Sequence, residues 1–284
     1  MDTILIFAEI LIFLFGIVIG SFLNVCIYRI PKGEDIVKVN SHCMTCGYQL
    51  KWYDLIPIFS YIFLRGKCRK CKTKLSCQYP IVEAVNGFMY VLIFAVNGLN
   101  VESGIYSLMA SALLVLSVID FRTYEIPFGI NVFIFILACI HMLLDLARWK
   151  DYVIGFFAVS AFLYLLYLLS KGRAIGGGDI KLMAAAGMML GWKAIIIAFV
   201  MGCILGSVIH LLRMKLTNED HVLAMGPYLA AGILLAALWG DSLLQMYMRL
   251  WKYQRRVKKK KIKKIKKKGK EIKKNKKRKE RKKK

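Results

Sequence analysis

Acidic residues are scarce in this chain, 17 Asp and Glu against 43 Lys and Arg in 284 residues, and histidine is scarcer still, at 4. The acid deficit does not describe one uniformly basic surface. From Lys252 onward 23 Lys and Arg face 2 Glu, so about +21 of the net +26 belongs to a tail and about +5 to everything before it. His141, His210 and His221 fall at helix-end or interfacial positions and His42 adjoins Cys43, which leaves histidine little claim to a metal. The first apolar run has no basic residue before it and no small-residue cleavage site near its end. That argues against a cleaved signal peptide and predicts a retained anchor with its N-terminus outside. Three further absences narrow the function. No glycine-rich nucleotide-binding fingerprint occurs, no serine–lysine pair stands out on the outer face, and no repeat symmetry of the kind transporters show is evident.

What the chain has in abundance is apolar length. Hydrophobic residues make up 58% and the mean hydropathy is +0.52, far more than one soluble core needs. Apolar runs occur at about 4–28, 81–98, 104–120, 128–147, 151–170, 194–212 and 222–240, with a shorter one at about 180–191. The sequence therefore predicts an all-α polytopic membrane protein of seven or eight transmembrane helices. Gly191-Trp192-Lys193 separates the short run from the next; the alternative is one long tilted helix. Between the first and second helices Arg29, Lys32, Lys38, Lys51, Arg65, Lys67, Arg69, Lys70, Lys72 and Lys74 outnumber Glu34, Asp35 and Asp54. The positive-inside rule places this loop in the cytoplasm.

Cys43-Met44-Thr45-Cys46 and Cys68-Arg69-Lys70-Cys71 lie in that loop. Two C-x2-C knuckles at this separation predict a structural zinc site, because each tight turn supplies two thiolates and four complete a tetrahedron. Reducing cytoplasm disfavours disulfides. Such a closed site folds a small domain and leaves no open position for catalysis. Cys26, Cys77, Cys139 and Cys203 read as packing residues, with only Cys77 close enough in sequence to be a fifth candidate.

Two carboxylates complete the pattern: Asp120 ends one apolar run, and Asp179 follows Gly176-Gly177-Gly178. Ionisable groups at a bilayer boundary are costly and mark functional sites by default. Crossing parity puts both on the face of the cysteine loop. The glycines permit close approach beside Asp179, and Pro127 sets the turn after Asp120. Two carboxylates meeting across helices share one proton, so one can take a proton from water while the other donates to a carbonyl oxygen. A transporter with intramembrane carboxylates is the competing class, and a purely structural scaffold would leave both aspartates idle.

The residues over about 8–250 resemble the type IV prepilin peptidases, aspartic membrane proteases of the GxGD kind. The resemblance rests on Gly20-Ser21-Phe22-Leu23-Asn24-Val25-Cys26-Ile27-Tyr28-Arg29-Ile30-Pro31, on Asp54-Leu55-Ile56-Pro57 with Ser60-Tyr61, and on Arg65 to Cys71. Tyr79-Pro80-Ile81-Val82-Glu83, Gly176 to Leu182 and Gly226-Pro227-Tyr228-Leu229-Ala230 add to it. It implies cleavage of prepilin-like or pseudopilin leaders after a Gly at the cytoplasmic face of the inner membrane. N-methylation of the new terminus from S-adenosylmethionine follows. Asp120 and Asp179 would be the catalytic pair. Residues 1–80 would hold the first helix, the zinc-knuckle loop and the seat of methyl transfer, 81–251 the peptidase, and 252–284 a disordered Lys-rich tail. Leu55, Gln78 and Phe128 depart from the family pattern. Asn24 and Glu83 are the polar groups that stand out near the N-terminal half, and sequence assigns neither a role. The tail reads as a solvated polycation able to hold anionic lipid headgroups, with no specific nucleic acid. Eight crossings from an outside N-terminus would leave it outside, whereas its charge argues for the cytoplasm.

Overall fold

Residues 2–173, 175–217 and 223–240, with scattered positions between 242 and 255, are described by a computed structural model. The chain divides into two units, Met1–Gly240 and Asp241–Lys284. Of the second unit only scattered helical positions are described. The Lys-rich tail, apart from Tyr253 and Arg255, lies outside the described residues.

The first unit is helical: α1 (Asp2–Arg29), α2 (Phe59–Phe63), α3 (Gln78–Asn97), α4 (Val101–Thr123), α5 (Phe128–Leu144), α6 (Trp149–Ala158), α7 (Ser160–Leu169), α8 (Gly177–Leu190), α9 (Trp192–Thr217) and α10 (Gly226–Gly240). Among the described residues five segments are long and apolar enough to cross a membrane, including Leu146–Leu169, which joins α6 and α7. The shorter α5, α8 and α10 pack among them. This is the polytopic all-α architecture expected from the apolar runs. The short run is a separate helix: Gly191 takes φ 79, the left-handed region glycine tolerates, and splits α8 from α9. One long tilted helix is thereby excluded.

Antiparallel succession puts the C-terminal ends of α1 and α4 and the N-terminal ends of α3, α5, α8 and α10 at one end of the bundle. The cysteine loop emerges at the same end. Contacts between Asn24 and Tyr79 and between Arg122 and Gln78 tie this end together.

Among the five long spans α4 is the most enclosed, with 61% of its apolar stretch inside the protein against 39% or less for the others. Its small residues Ser103, Ser107, Ala110 and Ser111 are buried and let neighbours approach. Polar groups in this layer find partners across helices. Asn86 of α3 donates to the Gly16 carbonyl of α1 at 2.8 Å, and Ser111 of α4 donates to Asn86 Oδ1 at 2.8 Å. Between α6 and α8 the backbones touch at Gly155 and Gly187. A Cβ on either would collide with the other's carbonyl oxygen.

Candidate functional site

Asp120 sits one turn before the end of α4, which terminates at Tyr124 in the left-handed conformation, φ 56. Its side chain is buried, 4% exposed. The Gly226 N–H donates to Asp120 Oδ2 at 2.9 Å, so this carboxylate satisfies one of the orphan donors at the start of α10. A Cβ at Gly226 would stand 2.7 Å from the same oxygen, so a larger residue there would have to displace the carboxylate.

Asp179 is half-buried in the first turn of α8, where Gly176 is the N-cap. Its carboxylate reaches back to the Gly176 N–H, the return half of a capping box. Gly178 packs on Ile126, with a would-be Cβ 2.8 Å from the Ile126 Cβ. Asn131 of α5 donates to the Gly178 carbonyl at 3.3 Å. The glycine run is thus clamped between the Ile126-Pro127 turn and α5. Gly178, beside Asp179, packs on Ile126, six residues beyond Asp120, so the fold brings to one end of the bundle two carboxylates that lie 59 positions apart in the chain. At about 21 Å, α8 is shorter than a hydrocarbon core of about 30 Å. One of its ends therefore lies within the apolar layer.

The four cysteines also converge. Cys43 and Cys71 sulfurs are 3.8 Å apart, Cys46 and Cys68 sulfurs 4.0 Å apart, and all four lie within 4.8 Å of one another. A tetrahedron with metal–sulfur bonds of about 2.3 Å has edges of about 3.8 Å. The donor set fits a four-thiolate metal. Both knuckles have one geometry: Cys43 N–H bonds the Tyr48 carbonyl and Cys68 N–H the Thr73 carbonyl, each at 2.9 Å. The fourth residue after each leading cysteine takes positive φ, Gly47 at 68° as the turn requires and Lys72 at 59°.

The thiols are electrostatically unequal. Backbone N–H groups of Cys46 and Thr45 hold Cys43 below the usual thiol range, and Thr73 pulls Cys71 down to about 6. Cys46 is pushed up to about 11: a backbone bond at Tyr48 lowers it, but desolvation and the neighbouring sulfurs outweigh that bond. A cation binding all four would remove that conflict by taking every thiol as thiolate. Cys77 lies outside this cluster, 3.3 Å from the Tyr61 hydroxyl.

Several contacts have no signature in the sequence. Gly226-Pro227 reads there only as a motif, whereas the Gly226 N–H meets Asp120. Asn24 and Glu83 stand out there without partners. Asn24 donates to the Tyr79 carbonyl at 3.1 Å and accepts from Gln78 at 3.3 Å. Gln78 in turn accepts from Arg122, two residues beyond Asp120. Glu83 accepts the Ile58 N–H at 2.7 Å. Nothing local in the sequence signals these long-range pairs, although a buried polar residue in an apolar helix always demands one.

Both halves of the chain match known protein families. Residues 14–96 match the Bacterial Peptidase A24 N-terminal domain, and residues 107–211 match the Type IV leader peptidase family. A prepilin leader peptidase/N-methyltransferase of Bacillus subtilis is 32% identical over 244 residues, covering 84% of this chain and 98% of that protein. Proteins of the same name from Aeromonas salmonicida and Stutzerimonas stutzeri are 30% and 29% identical, covering 84% and 82% of this chain and 93% and 91% of theirs. No solved structure matches. With both halves matched in order and a relative aligned over nearly its whole length, the chain belongs to the type IV leader peptidase family.

Proposed function

We infer that this protein is a membrane aspartic endopeptidase that removes the leader of prepilin-like proteins and then N-methylates the new terminus. The observation that supports the peptidase reading is the convergence of the segments carrying Asp120 and Asp179 on the loop end of the bundle. In this reading one carboxylate takes a proton from the attacking water while its partner donates one to the carbonyl oxygen. The tetrahedral intermediate then collapses, the C–N bond breaks, and the proton taken from water leaves on the new amine. The positive-inside argument supports a cytoplasmic loop end in the inner membrane, with cleavage after Gly at that face.

The cysteine cluster suits structural zinc, whose chemistry here would be to hold the two knuckles together. The domain division keeps the form set out above, with methyl transfer assigned to residues 1–80. S-adenosylmethionine would supply the methyl group. Among the described residues of that half no cradle for a sulfonium donor is recognisable. Its buried carboxylate, Asp54, is already engaged by Arg69, and the neighbouring Glu83 of α3 is engaged by the Ile58 N–H. No residue is assigned to the donor.

The test is incubation of purified protein with a prepilin-like peptide, with the mass of both products measured. Asp120→Asn and Asp179→Asn keep size and hydrogen bonding but cannot exchange the proton. Each is expected to lower cleavage by at least about a hundredfold while the protein still inserts. Substantial cleavage by either variant removes that residue from the pair.

A further inference from the structure

The segment between the two cysteine knuckles has no part in the metal cluster or the aspartate pair, yet it holds the most strained backbone in the loop. Ile58 adopts φ 61 and ψ −53, and the Phe59 N–H bonds the Pro57 carbonyl at 2.6 Å. These are the marks of a γ-turn of the rare, strained hand, here with a β-branched residue at its centre. Such a conformation persists only where the surroundings hold it. The holder is Glu83, which is buried and accepts the Ile58 N–H at 2.7 Å, and which the Ser21 hydroxyl also bonds.

The depth of that anchor is informative. Glu83 lies five residues into α3, about 7 Å along the helix axis from Gln78. Ser21 lies eight residues short of Arg29, about 12 Å along α1. The Ile58 turn is therefore drawn down beside the two spans, below the points where the loop joins them.

Immediately after the turn, α2 carries Phe59, Ile62 and Phe63 at spacing i, i+3, i+4, on one helix face. All three are exposed, Phe63 by 84%, and Trp52, 78% exposed, joins Leu55 and Ile56 ahead of the turn. Lys51 and Arg65, both exposed, bracket this apolar stretch. The loop's few acids are largely occupied: Asp54 pairs with Arg69 at 2.7 Å, and Glu34 lies 3.8 Å from Lys32. An apolar patch of this size bordered by cations matches a membrane interface, where rings and aliphatics enter the acyl boundary and Lys and Arg meet anionic headgroups.

We propose that α2 and its flanks, from Trp52 to Phe63, are an interfacial membrane element. The Glu83-held turn at Ile58 seats them in the boundary of the protein's own bilayer, against anionic lipid. The metal-knuckle region is then fastened to the membrane at three places, by α1, α3 and α2.

The test uses full-length protein in nanodiscs of phosphatidylcholine, with and without phosphatidylglycerol, carrying a photoactivatable lipid with a carbene precursor on its acyl chain. Mass mapping is expected to find adducts on the 52–63 peptide as well as on the spans. Labelling should rise several-fold with phosphatidylglycerol and fall with added salt. Ile62→Ser with Phe63→Ser should reduce it several-fold, with metal content unchanged as the sign of a folded loop. A wild-type 52–63 peptide free of adducts while α1 and α3 are labelled overturns the proposal. Labelling displaced by excess prepilin-like peptide also overturns it, since the patch would then be a peptide-binding surface. Labelling indifferent to headgroup charge and salt overturns the assignment to anionic lipid.

Discussion

At the residue scale the aspartates are not equivalent, and the difference lies in what surrounds each. Asp120 is buried against Gly226, whereas Asp179 is half-buried in a glycine-lined first turn. An asymmetric pair of this kind suits a division of labour between the group nearer the water and the group nearer the substrate carbonyl. Since the reactive form holds one proton between two carboxylates, the cleavage rate is expected to fall at both pH extremes. The two apparent pKa values of that bell belong to the pair. A flat profile over the range in which the protein stays folded counts against the dyad. The Lys181 ammonium, two residues beyond Asp179, lies 4.9 Å from the centroid of the Phe128 ring, which gives this cation an aromatic face.

At the scale of elements, two devices position the site. One is the backbone contact of α6 and α8 at Gly155 and Gly187, which sets the position of the helix whose first turn holds Asp179. Gly187→Leu forces these helices apart. It is expected to cost about 1–3 kcal/mol, read as a lower thermal midpoint in detergent, and to reduce cleavage through displacement of α8. An unchanged midpoint means the contact contributes little. The other device is the pair of knuckles. About one zinc ion per chain is expected from metal analysis of protein purified without chelator, lost when either knuckle's cysteines become serine. Protease sensitivity of residues 30–77 should rise more than cleavage falls, because the closed site folds the loop and takes no part in proton transfer. Protein purified without zinc would refute this.

At the scale of the whole molecule, the N-terminal half and the peptidase half are joined by identifiable contacts. Asn24, Gln78 and Arg122 form a polar chain across α1, α3 and α4, and Arg122 also lies over the Tyr28 ring at 5.5 Å. The halves are neighbours, but the proposed chemistry of each is distinct. Asp179→Asn should therefore still methylate a pre-cleaved peptide, whose free amine needs no carboxylate pair. Truncation at Lys258 removes charge but no span and no motif, so cleavage in detergent should persist, with at most weaker attachment to anionic bilayers that salt reduces. Loss of cleavage on truncation in an inserted protein, or loss of methylation in Asp179→Asn, would end the two-site picture.

Apolar run length and cysteine spacing were enough, by themselves, to specify a polytopic helical protein with a four-thiolate cluster. Both are local signals: a span needs about 20 apolar residues in succession, and a knuckle is complete within five residues. Crossing parity even placed Asp120 and Asp179 at one end, since each span reverses the chain. What parity cannot supply is lateral position, because any helix can stand beside any other at the same height. Only the tertiary structure decided that Gly226 caps against Asp120, that Asn131 steadies the Gly178 carbonyl, and that Glu83 reaches across to Ile58. These pairs are 106, 47 and 25 residues apart in the chain. Their formation is dictated by the requirement that polar groups removed from water find partners, and the choice of partner is made by packing.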